Sequence, residues 1–179
     1  MAGAHYMKRI AIFTGFFIFF AVISASSDNI QLSPNAIDAV KPTSNDIPEG
    51  FMYGKVPEVY KKTLKDNPWV MDSAAIKRLA GKIYPGGDSS RIAAMHVSII
   101  ARKKKPFGDD IVCYVILYKD AKAARVEIRK VAEFTEYNSD RCILLTKENL
   151  AVFLFVDDIN NFHYIKDMAA ALEERLKRL

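Results

Sequence analysis

The sequence predicts an α+β domain built on a mostly antiparallel, four-stranded sheet, with helices on one or both faces. Hydrophobic spacing is helical over residues 67–84 and changes to the spacing of a strand at residue 92. The elements then follow the order α-ββα-ββα, which is typical of an α+β layer structure. The composition, 50% hydrophobic and 26% charged, fits a globular domain and argues against a disordered or fibrous chain.

The first predicted helices precede the sheet. A short helix is expected over residues 56–65, and a longer one over residues 67–84, because Asn67 followed by Pro68 is a helix start signal. Apolar residues at helical spacing give the longer helix one buried face. That face comprises Trp69, Ile76, Leu79, Ala80 and Ile83.

Two strand pairs follow, each leading through an aspartate-bearing turn into an amphipathic helix. Asp120 is the expected cap of the first helix, which extends to about Tyr137, and Asn161 is the expected cap of the last. The predicted strands span residues 92–102, 111–118, 141–146 and 150–156.

Strands 111–118 and 150–156 are apolar on both sides, whereas a sheet covered on one side shows alternating apolar and polar residues. Both strands are therefore expected to be central, with both faces out of water. Helix 67–84 is one candidate cover for the second face. The alternative is a self-association surface or a groove for an apolar ligand or partner. The aromatic side chains that would line such a contact are Tyr114, Tyr118, Phe153 and Phe155.

The N-terminus has the pattern of a cleavable export signal. Lys8 and Arg9 precede an uncharged, phenylalanine-rich run over residues 10–25 that ends in small residues. The run is shorter than the roughly 20 residues that span a bilayer, although an uncleaved anchor is the competing interpretation. The following segment, rich in Pro, Ser, Asn and Asp, is typical of a flexible tether. The predicted divisions are a signal peptide at 1–25, a tether at 26–50 and a single domain at 51–179.

Cys113 and Cys142 are the two cysteines of the chain. Export would carry them to a compartment where disulfides persist. A bridge between neighbouring strands would close a loop of about 30 residues and contribute on the order of 3 to 4 kcal/mol. Free cysteines also pack in apolar strands as small hydrophobes. Both interpretations are open from the sequence, and no Cys-x-x-Cys redox pair is present.

No catalytic residue, cofactor or metal site is predicted, because nucleophile-elbow, phosphate-loop and dinucleotide motifs are all missing. The net charge of +5 includes two basic residues of the leader. One basic patch, residues 102–105, does not make the concentrated basic face of a nucleic-acid-binding protein.

Three functional interpretations remain. The first is an exported, periplasmic or extracellular, non-catalytic domain that binds an unknown protein or a small apolar ligand, or pairs as a homodimer. The second is a small extracytoplasmic enzyme or metal-binding protein using His163 with Asp157 or Asp158. The third is a membrane-anchored component of an envelope complex, which would contact the membrane only through an uncleaved N-terminal segment.

Overall fold

A computed structural model describes residues 31–179, so the predicted signal peptide and the first residues of the predicted tether lie outside the described residues. The fold is α+β, with an antiparallel sheet of six strands in the order β1-β3-β4-β6-β5, and β2 paired with β3. The prediction of four strands missed the two short ones. The strands are β1 (Phe51–Tyr53), β2 (Trp69–Val70), β3 (Ile92–Arg102), β4 (Ile111–Tyr118), β5 (Cys142–Lys147) and β6 (Leu150–Val156).

Four α-helices accompany the sheet in the described part of the chain: α1 (Asn35–Val40), α2 (Ser73–Ile83), α3 (Ala121–Tyr137) and α4 (Phe162–Lys177). The last two lie where they were predicted, and Asp120 caps α3 as expected. The predicted cap of α4 is wrong, because the Asn161 side chain makes no cap bond and instead accepts a hydrogen bond of 2.7 Å from Arg102. The predicted start of the 67–84 helix is wrong, because Trp69 belongs to β2 and α2 is capped by Asp72, whose carboxylate accepts a hydrogen bond of 2.8 Å from the Ala75 amide. The helix expected over residues 56–65 is reduced to a 3-10 turn at Glu58–Tyr60. Within residues 31–179, no helix is long and apolar enough to cross a membrane.

Both faces of the central strands are covered, as the sequence predicted. Every residue of β4 is buried, and in β6 only Phe155 is partly exposed. Helices α2 and α3 pack on one face of the sheet, while α1 and α4 pack on the other. The predicted cover for the second face, helix 67–84, was only partly right: α2 shares its face with α3, and α4 with α1 supplies the opposite layer.

The outer edge of β3 is closed along much of its length. β1 pairs with its C-terminal end and β2 with its middle. Between them, the Asn67 side chain takes the place of a strand residue: its Oδ1 accepts from the Ile99 amide at 2.7 Å, and its Nδ2 donates to the carbonyls of Ile99 and Gly54 at 2.6 and 2.7 Å. This edge of the sheet therefore has its backbone groups largely satisfied.

The segment over residues 31–47, which we call the N-terminal strap, departs from the flexible tether expected there. Its helix α1 places apolar residues on one turn, and these lie buried against the α4 side of the sheet. That burial offsets part of the entropy of ordering the segment. The buried strap residues are Ala36, Ile37 and Val40.

Polar contacts hold both ends of the N-terminal strap. The buried Asn149 side chain accepts a hydrogen bond from the Leu32 amide at 2.8 Å and donates to the Tyr118 carbonyl at 2.8 Å. At the other end, Arg175 of α4 donates to the Lys41 carbonyl at 3.0 Å and forms an ion pair with Asp46. The strap is thus tied to the sheet and to α4.

The structure contradicts a bridge between Cys113 and Cys142. Strand β6 lies between β4 and β5, so the two cysteines are two strand spacings apart, about 10 Å. They also belong to cores on opposite faces, Cys113 on the α4 side and Cys142 on the α2–α3 side. A disulfide needs Cα atoms within about 7 Å, so both cysteines are free and pack as small hydrophobes.

His96 lies on β3, 2% exposed, and its Nδ1 has no hydrogen-bond partner among the described residues. Desolvation lowers the pKa of this imidazole to about 4; the nearby Lys41 acts in the same direction and Asp38 opposes it. Both charged residues come from the N-terminal strap. His96 is therefore buried in its neutral form.

We expect His96 to make stability fall in mild acid. The unfolded chain takes up a proton near pH 6.5 and the folded chain only near pH 4, so folding loses up to roughly 3 kcal/mol as the pH falls through this window. Urea unfolding followed by Trp69 fluorescence at both ends of the window should show the loss in the wild type and a smaller one in His96→Leu.

The matched control is His163→Leu, which removes an exposed imidazole. It should keep the acid sensitivity of the wild type. An equal loss of stability in wild type and His96→Leu would show that His96 does not titrate in this way.

We also expect both thiols to be free but protected. Burial raises the pKa of the Cys113 thiol, and raises that of Cys142 to about 11, so neither forms the reactive thiolate at about pH 8. Iodoacetamide should label neither cysteine in the folded protein and both in urea without reductant, as read by intact mass. A urea-unfolded chain that takes label only after reduction would contradict the free-thiol assignment.

Candidate functional site

Over the central strands β4 and β6, the cover on the α2–α3 face is incomplete only at Phe155, the one partly exposed residue of β6, and Phe155 belongs to a row of aromatic rings. Tyr114 stacks on Phe155 at 6.3 Å between ring centroids, Phe155 lies 5.9 Å from Phe153, and Phe153 meets Phe134 of α3 edge-on at 6.1 Å. We call these four rings the aromatic row. Each end of the row opens into a cleft.

The first cleft, of about 270 Å³, lies between the 3-10 turn at Glu58–Tyr60, helix α2 and the sheet. Tyr114 and Phe155 form its floor, while Leu79 and Ile83 of α2 form one wall. Val59, 80% exposed, stands at its rim. This mixture of an aromatic floor and aliphatic walls suits an apolar group.

Two tyrosine hydroxyls give the first cleft its polar character. Tyr60 donates a hydrogen bond of 3.3 Å to the Asp109 carboxylate. Desolvation raises the pKa of both Tyr60 and Tyr114, and the negative charge of Asp109 adds to the shift. Both hydroxyls are therefore neutral hydrogen-bond donors and acceptors and cannot act as phenolate bases near neutral pH.

The second cleft, of about 200 Å³, lies at the other end of the aromatic row. Phe134 and Pro85 provide its apolar surface, and Lys130 with Glu133 provides charged rims. Tyr137, 89% exposed at the end of α3, stands beside it. The two clefts and the aromatic row together form a feature that we call the aromatic trough.

A buried carboxylate holds the wall of the second cleft in place. Glu127 of α3 accepts hydrogen bonds from the Tyr84 hydroxyl at 2.9 Å, the Asp88 amide at 3.1 Å and the Lys130 ammonium at 2.7 Å. Lys130 also donates to the Gly86 carbonyl at 2.7 Å. Because its oxygens are fully engaged, Glu127 links the loop after α2 to α3 and has a positioning role, not that of a free acid or base.

The four aromatic residues predicted to line a contact all lie on the α2–α3 face, but they differ in access. Tyr118 and Phe153 are fully buried, Tyr114 is 6% exposed and Phe155 is half-buried. Only Tyr114 and Phe155 reach a cleft. The other two belong to the core that supports it.

Sequence reasoning missed the residues that complete the trough on its rims and its second cleft. Phe134 and Tyr137 continue the α3 stripe beyond Val131 at three-residue steps, so helical spacing carried a signal for them. Val59 and Tyr60 had no comparable signal, because they lie in a 3-10 turn whose docking depends on tertiary contacts.

The structure gives His163 and Asp158 separate local contacts. His163 is exposed on α4, with its ring 3.8 Å from that of Tyr164. The Asp158 carboxylate accepts hydrogen bonds from the Asn160 amide at 2.9 Å and its side chain at 2.8 Å, which caps the turn before α4. Within residues 31–179, no three His, Cys, Asp or Glu side chains come together as metal ligands would.

The chemistry of the aromatic trough is that of apolar contact with a few neutral hydroxyls and rim charges. Comparison with protein-family models, with characterised proteins and with solved structures gives no match for this chain.

Proposed function

We propose that this protein is a non-catalytic binding domain that holds an apolar segment of a partner protein along the aromatic trough. The observation that carries the proposal is the aromatic row, which continues from the floor of one cleft to the wall of the other at ring spacings of 6.3, 5.9 and 6.1 Å. Tyr114 and Phe155 offer apolar contact in the first cleft and Phe134 offers it in the second, while the buried Phe153 packs between them. Rings held in this way lose little conformational entropy on binding.

The size of the clefts favours a protein partner over a small apolar ligand. Sites for small molecules usually enclose about 300 to 1,000 Å³. The two clefts measure about 270 and 200 Å³ and open to the surface. Each suits one anchoring side chain of a longer segment, in the manner of the few buried anchors that dominate protein interfaces.

The exposed rims support the same proposal. Val59 and Tyr137 expose 80% and 89% of their surface beside the two clefts, although both are apolar or aromatic. Lys82 adds positive charge at the rim of the first cleft, whereas Lys130 at the second is paired with Glu127 and lies on the same rim as Glu133. Apolar surface rimmed by charge is typical of interaction sites, and Lys82 favours a partner segment with an acidic residue beside its first anchor.

The leader pattern of residues 1–25 supports a partner met in the periplasm or outside the cell. The proposal holds equally for a free exported domain and for one that keeps its N-terminal segment as an anchor. In both cases the trough is the contact surface.

Side-chain analogues test the trough directly. Indole and p-cresol, the analogues of Trp and Tyr, should shift the NMR amide signals of residues around both clefts. The double variant Val59→Ser with Tyr137→Ser removes apolar rim surface that adds little to the fold, because both residues are exposed. We expect it to weaken the binding of each analogue by about twofold to fivefold, since each analogue loses one contact that contributes about 0.5 to 1 kcal/mol.

The matched control is Phe107→Ser, which removes a 56% exposed ring that lies against Lys55 rather than in the trough. It should leave the analogue affinity unchanged. Shifts that avoid both clefts, or an equal loss in Phe107→Ser, would count against the trough as the binding site.

A further inference from the structure

The outer edge of β5 presents free backbone groups. The Val156 amide donates to the Arg141 carbonyl at 3.0 Å, and the register pairs Leu145 with Val152. In an antiparallel pair the bonded positions alternate, so Leu144 and Thr146 direct their N–H and C=O groups away from β6. Neither residue finds a backbone partner elsewhere in the described chain.

This edge also lacks the protection found at the opposite one. The outer edge of β3 is covered by two short strands and the Asn67 side chain. β5 contains no proline and pairs without a bulge. Its Ile143, Leu144 and Leu145 are only partly buried. Proteins usually guard such an edge, and an unguarded one is a template for another strand.

Positive charge stands at both ends of β5. Lys147 ends the strand and donates to the Lys177 carbonyl of α4 at 3.0 Å, which places its side chain on the α4 face. Side chains alternate along a strand, so Arg141, Ile143 and Leu145 share that face with Lys147. Arg141 has Asp140 as a neighbour at 3.2 Å, but both side chains are largely exposed and such a pair contributes little.

In the register centred on Leu144, the charges disfavour a second copy of this chain as the occupant. Antiparallel pairing of two β5 strands about Leu144 would place Arg141 opposite Lys147 of the copy at both ends. Like charges directly opposite each other in a sheet are destabilising. A partner strand with acidic residues at these positions would instead form pairs of opposite charge with Arg141 and Lys147.

We propose that the edge of β5 binds an extended strand of a partner protein that carries acidic residues opposite Arg141 and Lys147 and aliphatic residues opposite Ile143 and Leu145. Backbone hydrogen bonds to Leu144 and Thr146 supply affinity, and the alternating side chains supply selectivity. This surface is separate from the aromatic trough, and the inference does not rest on the function proposed there.

A fluorescein-labelled peptide, Asp-Thr-Val-Thr-Val-Thr-Glu, tests the proposal by fluorescence anisotropy with the full chain. It has acids at both ends and valines at alternate positions. We expect binding that salt weakens, and an affinity at least about tenfold lower for the same peptide with lysine in place of both acids.

The variant Thr146→Pro removes an outward-facing N–H and blocks the edge, while leaving the bonds to β6 intact. We expect it to weaken peptide binding by more than about tenfold. Thr146→Ala, which keeps the N–H, should bind as the wild type does, and thermal melting of all three proteins confirms that they fold.

Several outcomes would overturn the proposal. The acidic peptide could fail to bind, bind Thr146→Pro as well as the wild type, or bind no better than the lysine peptide. A dimer in sedimentation that Thr146→Pro dissociates would instead identify a second copy as the occupant. Loss of peptide binding in the double variant Val59→Ser with Tyr137→Ser would show that the peptide binds in the aromatic trough and not at the edge of β5.

Discussion

The structure depends on the need to cover two central strands that are apolar on both sides. Leaving one large aliphatic side chain of β4 or β6 in water would cost about 1.5 to 3 kcal/mol, and each face of these strands carries several. One layer of helices can cover only one face of these strands. Helices α3 and α4 therefore take opposite faces, and each needs a second element beside it.

The two faces of the sheet are not covered equally. On the α4 face, the N-terminal strap completes the cover, held by Asn149 at one end and Arg175 at the other. On the opposite face, α2 packs toward β3 and α3 toward β5, and the gap between them leaves the half-buried Phe155 in contact with a cleft. The close approach of Gly87 to the Ala80 carbonyl, where a Cβ would lie at 2.3 Å, keeps the loop after α2 tight against its helix. Glu127 and its partner Lys130 support the wall of the second cleft.

The sequence pattern correctly predicted the elements that depend on residues close together in the chain. The four long strands, α3 with its Asp120 cap and the central place of β4 and β6 follow from period and propensity. Elements that depend on partners distant in the sequence were not predictable: Asn67 looks like a helix cap but bonds to Ile99 across the sheet edge. Helix α1 of the N-terminal strap has only six residues, too few to be stable alone, and is ordered by the surface that it covers. A pairing of Cys113 with Cys142 assumed adjacent strands, and the order β4-β6-β5 removes that premise.

The start of the N-terminal strap is held at the β5–β6 turn. Asn149 lies in that turn, two residues after Lys147, and its side chain bonds both to Leu32 of the strap and to the Tyr118 carbonyl of β4. Glu148 beside it has a positive φ of 50°, a conformation that a side chain tolerates only when its surroundings hold it. The described chain therefore enters the fold beside the C-terminal end of β4. The outer edge of β5 lies on the other side of β6 from this contact, so the docked strap leaves that edge open.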